Sequence, residues 1–155
     1  MTKYDWLLLV HILGAFLFLS GSIVAGVLAF AAMRRELPSE VALLLRLTRP
    51  IVVLVGIGSI VALGLGIWLA EYVGYGVDQG WVIAAIVLWV VSGAIAGPAG
   101  TRMRHARELA EQLAEDGDRP SEQLRLAVRD PRTLAMNVVA FLLLVTILVL
   151  MVWKP

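Results

Sequence analysis

The chain has 155 residues, of which 60% are hydrophobic and 16% charged, and its formal net charge is +1. It contains no cysteine, which excludes disulfides, thiolate metal sites and thiol catalysis. Four uncharged apolar segments, each of the roughly 20 residues that cross a bilayer core, exclude a soluble globular domain. We therefore expect an all-α integral membrane protein.

The apolar segments occupy residues 6–33, 51–70, 81–101 and 133–153, and none of them contains Asp, Glu, Lys or Arg. In lipid, backbone polar groups must find their hydrogen-bond partners within the protein, so each segment is predicted to be a helix. The four spans are expected to form one four-helix bundle over residues 1–155, with no separate soluble domain.

The distribution of basic residues predicts the orientation. Eleven of the thirteen Lys and Arg residues lie between spans one and two or between spans three and four, and only Lys3 and Lys154 lie at the termini. Loops rich in Lys and Arg stay in the cytoplasm, whereas Trp and Tyr gather at the membrane boundaries. We expect a multi-pass protein of the bacterial plasma (inner) membrane with both termini extracytoplasmic.

Short amphipathic helices are predicted within the two cytoplasmic loops, at Val41–Thr48 and Gln123–Arg129, and a proline follows each of them. Ser39 and Ser121 stand before these segments as candidate N-caps, because a serine hydroxyl can accept a hydrogen bond from the first helical turn. Asp130, followed by a proline, is expected to cap the start of span four in the same way.

Span three is expected to continue beyond the membrane to about Glu115. Arg104 and Glu108, and likewise Arg107 and Glu111, stand four residues apart in this extension. Oppositely charged side chains at this spacing lie on one helix face and stabilise it.

Small residues are frequent in spans one and two, and span three contains Gly93-x-x-x-Gly97. Membrane helices pack closely through such residues. Two interpretations stay open: the glycines bring helices into contact, or they leave room for a flat ligand. Span four has almost no small residues and is expected to lie at the periphery of the bundle, facing lipid. Asn137, its main polar residue, is expected to form a hydrogen bond with another helix.

His11 is the one ionisable side chain within the spans, which makes it a candidate for function. It follows Trp6 by five residues, which is about 7 Å into the outer leaflet. Gly14 and Ser22 lie on the same helix face. His11 could form a structural hydrogen bond, ligate haem iron or transfer protons. Met151, near the outer end of span four, is the residue of that span that could approach it.

The first span resembles a known family. The run from Leu7 to Ala15, then Ser20-Gly21-Ser22, then Met33-Arg34-Arg35, is similar to the opening of the bacterial membrane family called domain of unknown function 2269. That family is similar to CopD-type copper-resistance domains and HemJ-type membrane protoporphyrinogen oxidases, which share the pattern L-x-x-L-H-x-x-x-A. The resemblance implies a four-helix layout and a role for His11 as a haem ligand or in binding another cofactor.

One hypothesis is therefore a protein that binds haem or another tetrapyrrole. His11 would be the axial ligand of the haem iron, with Gly14 and Ser22 beside it and Met151 as a second ligand. Span three lacks the lysine that HemJ-type proteins carry in a later helix, which argues against oxidase activity. A HemJ-like oxidoreductase stays open as an alternative, and we name no catalytic residue. The chain has no Cys and no His–Met cluster at ligand spacing, so copper transport is not expected either.

The alternative hypothesis is a non-catalytic module, either an accessory subunit of another membrane protein or a homo-oligomer packed through Gly93 and Gly97. Its arginine-rich loops would then contact membrane lipids. A small-molecule transporter is a third option. The sequence contains no phosphate-binding loop and no nucleic-acid-binding motif, so nucleic acid is not an expected partner.

Overall fold

A computed structural model describes residues 2–153, so Lys154, which entered the charge distribution, lies outside the described residues. Within that range the chain forms five helices: α1 Lys3–Ala32, α2 Pro38–Tyr72, α3 Gly80–Glu115, α4 Glu122–Val128 and α5 Pro131–Trp153. Four segments are long and apolar enough to cross a membrane, namely α1, α2, α3 and the stretch from α4 through α5. The predicted all-α architecture with four spans is confirmed.

The helices form two antiparallel hairpins. The most extensive contacts join α1 to α2 and α3 to α5, and α2 packs on α3 to unite the hairpins. The α1–α2 loop and α4 lie at one end of the bundle, which we call the arginine-rich end. The start of α1, the end of α5 and the α2–α3 loop lie at the other, which we call the terminal end.

Several predicted helix ends are confirmed. The Ser121 hydroxyl accepts a hydrogen bond from the backbone N–H of Leu124 at 3.5 Å, so α4 begins as predicted. The Asp130 carboxylate accepts from the backbone N–H groups of Arg132 and Thr133 at 3.1 and 3.3 Å. α3 ends at Glu115, as the charge pattern predicts.

The separate helix predicted at Val41–Thr48 is wrong, because α2 continues through Pro50 without interruption. Ser39 is not an N-cap either. The cap position is Leu37, and Pro38 opens the helix, where its missing N–H costs nothing. A proline inside a helix costs about 3 kcal/mol in water.

Packing on both sides of Pro50 favours an uninterrupted α2 despite that cost. After the proline, Ile51 and Val55 of α2 lie beside Gly21 of α1. Val41 and Leu45, one turn apart at the start of α2, are among the most deeply buried side chains of the protein. They belong to a hydrophobic core that collects small and apolar residues from α1, α2, α3 and α4: Ala32, Val41, Leu45, Ala106, Ala110, Leu124 and Val128. A continuous α2 holds them in this core.

The core lies at the arginine-rich end because the helices are surrounded by water there and by lipid along the spans. Only 6 to 22% of the apolar window of each span is buried within the protein, so most of its Leu, Val and Ile side chains face outward. Between lipid tails, helices gain little by hiding apolar side chains from one another. Outside the membrane, water drives their burial, and the compact core forms there.

Among the residues that the structure describes, Asn137 does not form the hydrogen bond to another helix that the sequence predicted. Its side chain is exposed on α5, and within residues 2–153 it forms no hydrogen bond to another helix. The expected interhelical bond is therefore wrong for the described chain. The hydrogen bond that links α5 to α3 comes instead from the buried Ser92, whose hydroxyl donates to the carbonyl oxygen of Ala140 at 3.2 Å.

Candidate functional site

The contact between α1 and α2 is made by their backbones. An ideal Cβ placed on Gly58 would lie 2.7 Å from the carbonyl oxygen of Gly14 and 2.8 Å from the amide nitrogen of Phe18. Such distances leave no space for a side chain. At Gly14 and Gly58, therefore, the glycines serve close packing, and they do not open space for a flat ligand.

His11 lies on α1 and reaches across this contact to α2. Its Nδ1 is 2.9 Å from the carbonyl oxygen of Ala62. A carbonyl only accepts hydrogen bonds, so Nδ1 must carry the proton, and the neutral ring keeps a lone pair on Nε2. The hydrogen bond fixes the tautomer and orients the ring, as the outer partners of metal-bound histidines do.

Gly66 provides the space for the imidazole. An ideal Cβ on Gly66 would lie 2.9 Å from Cε1 of His11 and 3.3 Å from its Nδ1. The terminal methyl carbon of Met151 lies 4.0 Å from the same point. His11 and Met151, from opposite ends of the chain, therefore meet over one glycine, as the sequence suggested they could.

These side chains line a small cavity of about 50 Å³ in the half of the bundle nearer the termini. Its walls come from α1, α2, α3 and α5 and are mostly aliphatic. Ser59 and Trp89 add polar atoms, and the indole N–H of Trp89 donates to the Ser59 hydroxyl oxygen at 2.8 Å. Sequence reasoning missed this pair, although Trp89 is the one tryptophan placed in the middle of a span.

Two of the predicted cofactor-binding residues do not join this site. Gly14 packs against Gly58 and Ala62, and it does not line the cavity. Ser22 also lies away from it, and its hydroxyl donates to the carbonyl oxygen of Phe18, one turn earlier in α1, at 2.7 Å. The structure thus brings together two of the four predicted residues, His11 and Met151.

The arrangement does not fit a tetrapyrrole. Pockets for organic ligands measure roughly 300 to 1,000 Å³, and the cavity beside His11 has about 50 Å³. This volume suits one metal ion or one or two water molecules. Haem binding stays a prediction, and it would require the helices around the cavity to move apart.

The described residues form no cluster of the usual metal-binding side chains. Across residues 2–153, no three side chains of His, Cys, Asp or Glu are placed to hold a metal ion. Any metal held at His11 would therefore rely on few protein ligands, with Met151 as the thioether that lines the same space.

Comparison with known proteins confirms the resemblance of the first helix. The family model described as a predicted integral membrane protein, domain of unknown function 2269, matches residues 5–155. No curated protein and no solved structure matches the chain. The further likeness to CopD-type and HemJ-type proteins stays a prediction. The match covers nearly the whole chain, and the protein therefore belongs to the domain of unknown function 2269 family of predicted integral membrane proteins.

Proposed function

We propose that this protein binds a single soft metal ion, copper(I), between Nε2 of His11 and the thioether sulfur of Met151. The observation that carries the proposal is the shared cavity of these two side chains, with Nδ1 of His11 held by the Ala62 carbonyl. That bond leaves Nε2 as the nitrogen available to a ligand.

The chemistry of the cavity supports this choice of metal. Thioether and imidazole are ligands that copper(I) accepts, whereas magnesium and calcium require several oxygen ligands. The walls are largely aliphatic and carry no carboxylate. The volume of about 50 Å³ admits an ion and excludes a large organic cofactor.

The position of the site suggests where the ion would enter. The cavity lies toward the terminal end of the bundle, away from the arginine-rich loops. By the positive-inside rule, these loops face the cytoplasm of a bacterium and both termini are extracytoplasmic. The proposed site then lies in the outer leaflet of the plasma membrane.

Metal loading of the purified full-length protein tests the proposal. The detergent-solubilised protein is incubated with copper(I) under reducing conditions, freed of excess metal and analysed by inductively coupled plasma mass spectrometry. We expect about one copper ion per chain, lost in His11→Ala and in the volume-conserving Met151→Leu. His105→Ala and Met136→Leu are matched controls and should keep the metal, because neither residue lines the cavity.

Two results would overturn the proposal. One is copper retention that is unchanged in both His11→Ala and Met151→Leu. The other is a protein that purifies with a Soret absorption band that His11→Ala abolishes, because this would make haem the ligand. Met151→Leu keeps the test valid if His11→Ala does not fold.

A second candidate function, a homo-oligomeric membrane module, is favoured by a different observation. Ideal Cβ atoms on Gly93 and Gly97 of α3 would meet no atom within 4 Å, so these glycines pack against nothing in the described chain. Exposed glycines at this spacing allow close contact with another helix. Gly93→Leu and Gly97→Leu should dissociate the oligomer in multi-angle light scattering, whereas the outward-facing Val87→Leu should not. A monomeric wild-type protein would exclude this function.

A further inference from the structure

A second and larger cavity, of about 390 Å³, lies at the arginine-rich end. It is bounded by the end of α1, the start of α2 and the short helix α4. Val41, Leu124 and Val128 form a buried apolar floor that belongs to the hydrophobic core. The volume is within the range of sites that hold organic ligands.

Charged side chains surround this floor, and two of the arginines have donors available. Arg129 donates from Nε to the carbonyl oxygen of Met33 at 2.9 Å, and its terminal nitrogens form no hydrogen bond within residues 2–153. Arg35 lies 3.9 Å from a Glu40 oxygen, too far for a hydrogen bond. Each guanidinium carries five N–H donors, so both retain capacity for an anion.

The charged residues that line the cavity match an anion with a single negative charge. Arg125, a third arginine of the rim, is held by Glu122 at 2.6 Å, and this hydrogen bond keeps the pKa of the Glu122 carboxyl below its usual value. Glu36 also lines the cavity. Among the lining residues, three arginines and two carboxylates leave a formal charge of +1, which matches the one charge of a phosphodiester.

We propose that this cavity binds the phosphodiester headgroup of a membrane phospholipid, with Arg35 and Arg129 as the donors to its phosphate. Arg129 stands two residues before α5, and its partner Met33 directly follows α1. Both therefore lie where spans leave the membrane, at the depth of lipid phosphates. The apolar floor suits the glycerol backbone of the headgroup, which free phosphate lacks. Guanidinium groups recognise phosphate through paired N–H donors.

Binding of short-chain lipids to the detergent-solubilised full-length protein, followed by native mass spectrometry, tests the assignment. The probes are dioctanoyl phosphatidylglycerol, dioctanoylglycerol, which lacks the phosphate, and inorganic phosphate. We expect one phosphatidylglycerol per chain and weaker binding of the other two. Arg35→Gln should weaken phosphatidylglycerol binding about tenfold, the usual effect of losing one charge-assisted hydrogen bond. Arg46→Gln, an exposed arginine of α2 outside the cavity, is the charge-matched control.

Three outcomes would overturn the proposal. Equal weakening by Arg35→Gln and Arg46→Gln would indicate general surface attraction. Equal binding of dioctanoylglycerol would show that the phosphate is not recognised, and equal binding of inorganic phosphate would remove the lipid as the ligand. Arg129→Gln should also weaken binding, but it removes the bond to Met33 as well, so Arg35→Gln is the decisive variant.

Discussion

The backbone contact between α1 and α2 at Gly58 predicts a large effect of a single added methyl group. In Gly58→Ala, the new Cβ would lie less than 3.0 Å from the carbonyl oxygen of Gly14, the amide nitrogen of Phe18 and the Cβ of Leu17. Two of these atoms belong to the backbone, so no change of rotamer relieves the contact. α1 and α2 must separate, and the packing along their interface weakens.

The expected loss of stability can be estimated by comparing Gly58→Ala with a matched control variant. Gly56 lies two positions earlier in α2, and a Cβ placed there would meet no atom within 4 Å. Both Gly→Ala changes gain about 1 kcal/mol of helix propensity, so this gain cancels when the variants are compared. Forcing an extra carbon into a packed interface costs about 1 to 3 kcal/mol. We expect Gly58→Ala to be less stable than Gly56→Ala by that amount.

Equilibrium unfolding in mixed detergent micelles measures this difference. The fraction of folded protein is followed by circular dichroism while the proportion of sodium dodecyl sulfate is raised. Gly56→Ala should match or exceed the wild type, and Gly58→Ala should unfold at a lower fraction of dodecyl sulfate. If the two variants unfold together, then α1 and α2 are not in backbone contact and the packing argument fails.

Three further predictions concern the candidate site and the loops. Gly66→Ala should displace the His11 ring, so that nitrogen-15 NMR no longer shows a single tautomer protonated at Nδ1. Gly64→Ala places its Cβ in open space and should preserve that tautomer. Asp118 accepts two hydrogen bonds from Ser39 at the start of α2, so Asp118→Ala should accelerate amide exchange in the loop before α4 about tenfold. Asp118→Asn keeps one acceptor oxygen and should accelerate the exchange less. The hydrogen bond from Arg125 lowers the pKa of Glu122. The Glu122–Arg125 pair therefore stabilises α4 fully above the ordinary pKa of 4.5, and this stabilisation is lost as the pH falls through the lowered pKa. Amide protection of α4 should therefore fall on acidification in the wild type and change less in Glu122→Gln.

Local properties of the chain determined most of the fold. Length and hydropathy fixed the number of spans, because the bilayer core has a set thickness and leaves no water for unpaired backbone groups. Capping chemistry located the starts of α4 and α5, since Ser121 and Asp130 need only the first turn of their own helices as partners. The end of α3 near Glu115 also followed from charges close together in sequence.

Continuity of α2 could not be read from local signals. Pro50 is a helix breaker by its own chemistry, and the prediction of a separate helix rested on that property. Packing of α2 on both sides of Pro50, at Val41 and Leu45 before it and at Val55 after it, outweighs that property, and those contacts exist only once the helices are assembled. Ser39 failed as a cap for a related reason, because its hydroxyl donates to Asp118 of the other loop at 2.6 Å.

Some features of the candidate site also followed from the sequence, whereas others depended on the tertiary structure. The sequence by itself determined that His11 is a titratable group at membrane depth, because no other ionisable side chain lies within the spans. Only the tertiary structure decided that its Nδ1 meets the Ala62 carbonyl and that Met151 lines the same cavity. It also decided that Gly58 is packed while Gly56 faces open space. The spacing of residues along one helix defines its faces, but the rotation of that helix against its neighbours decides which face is in contact.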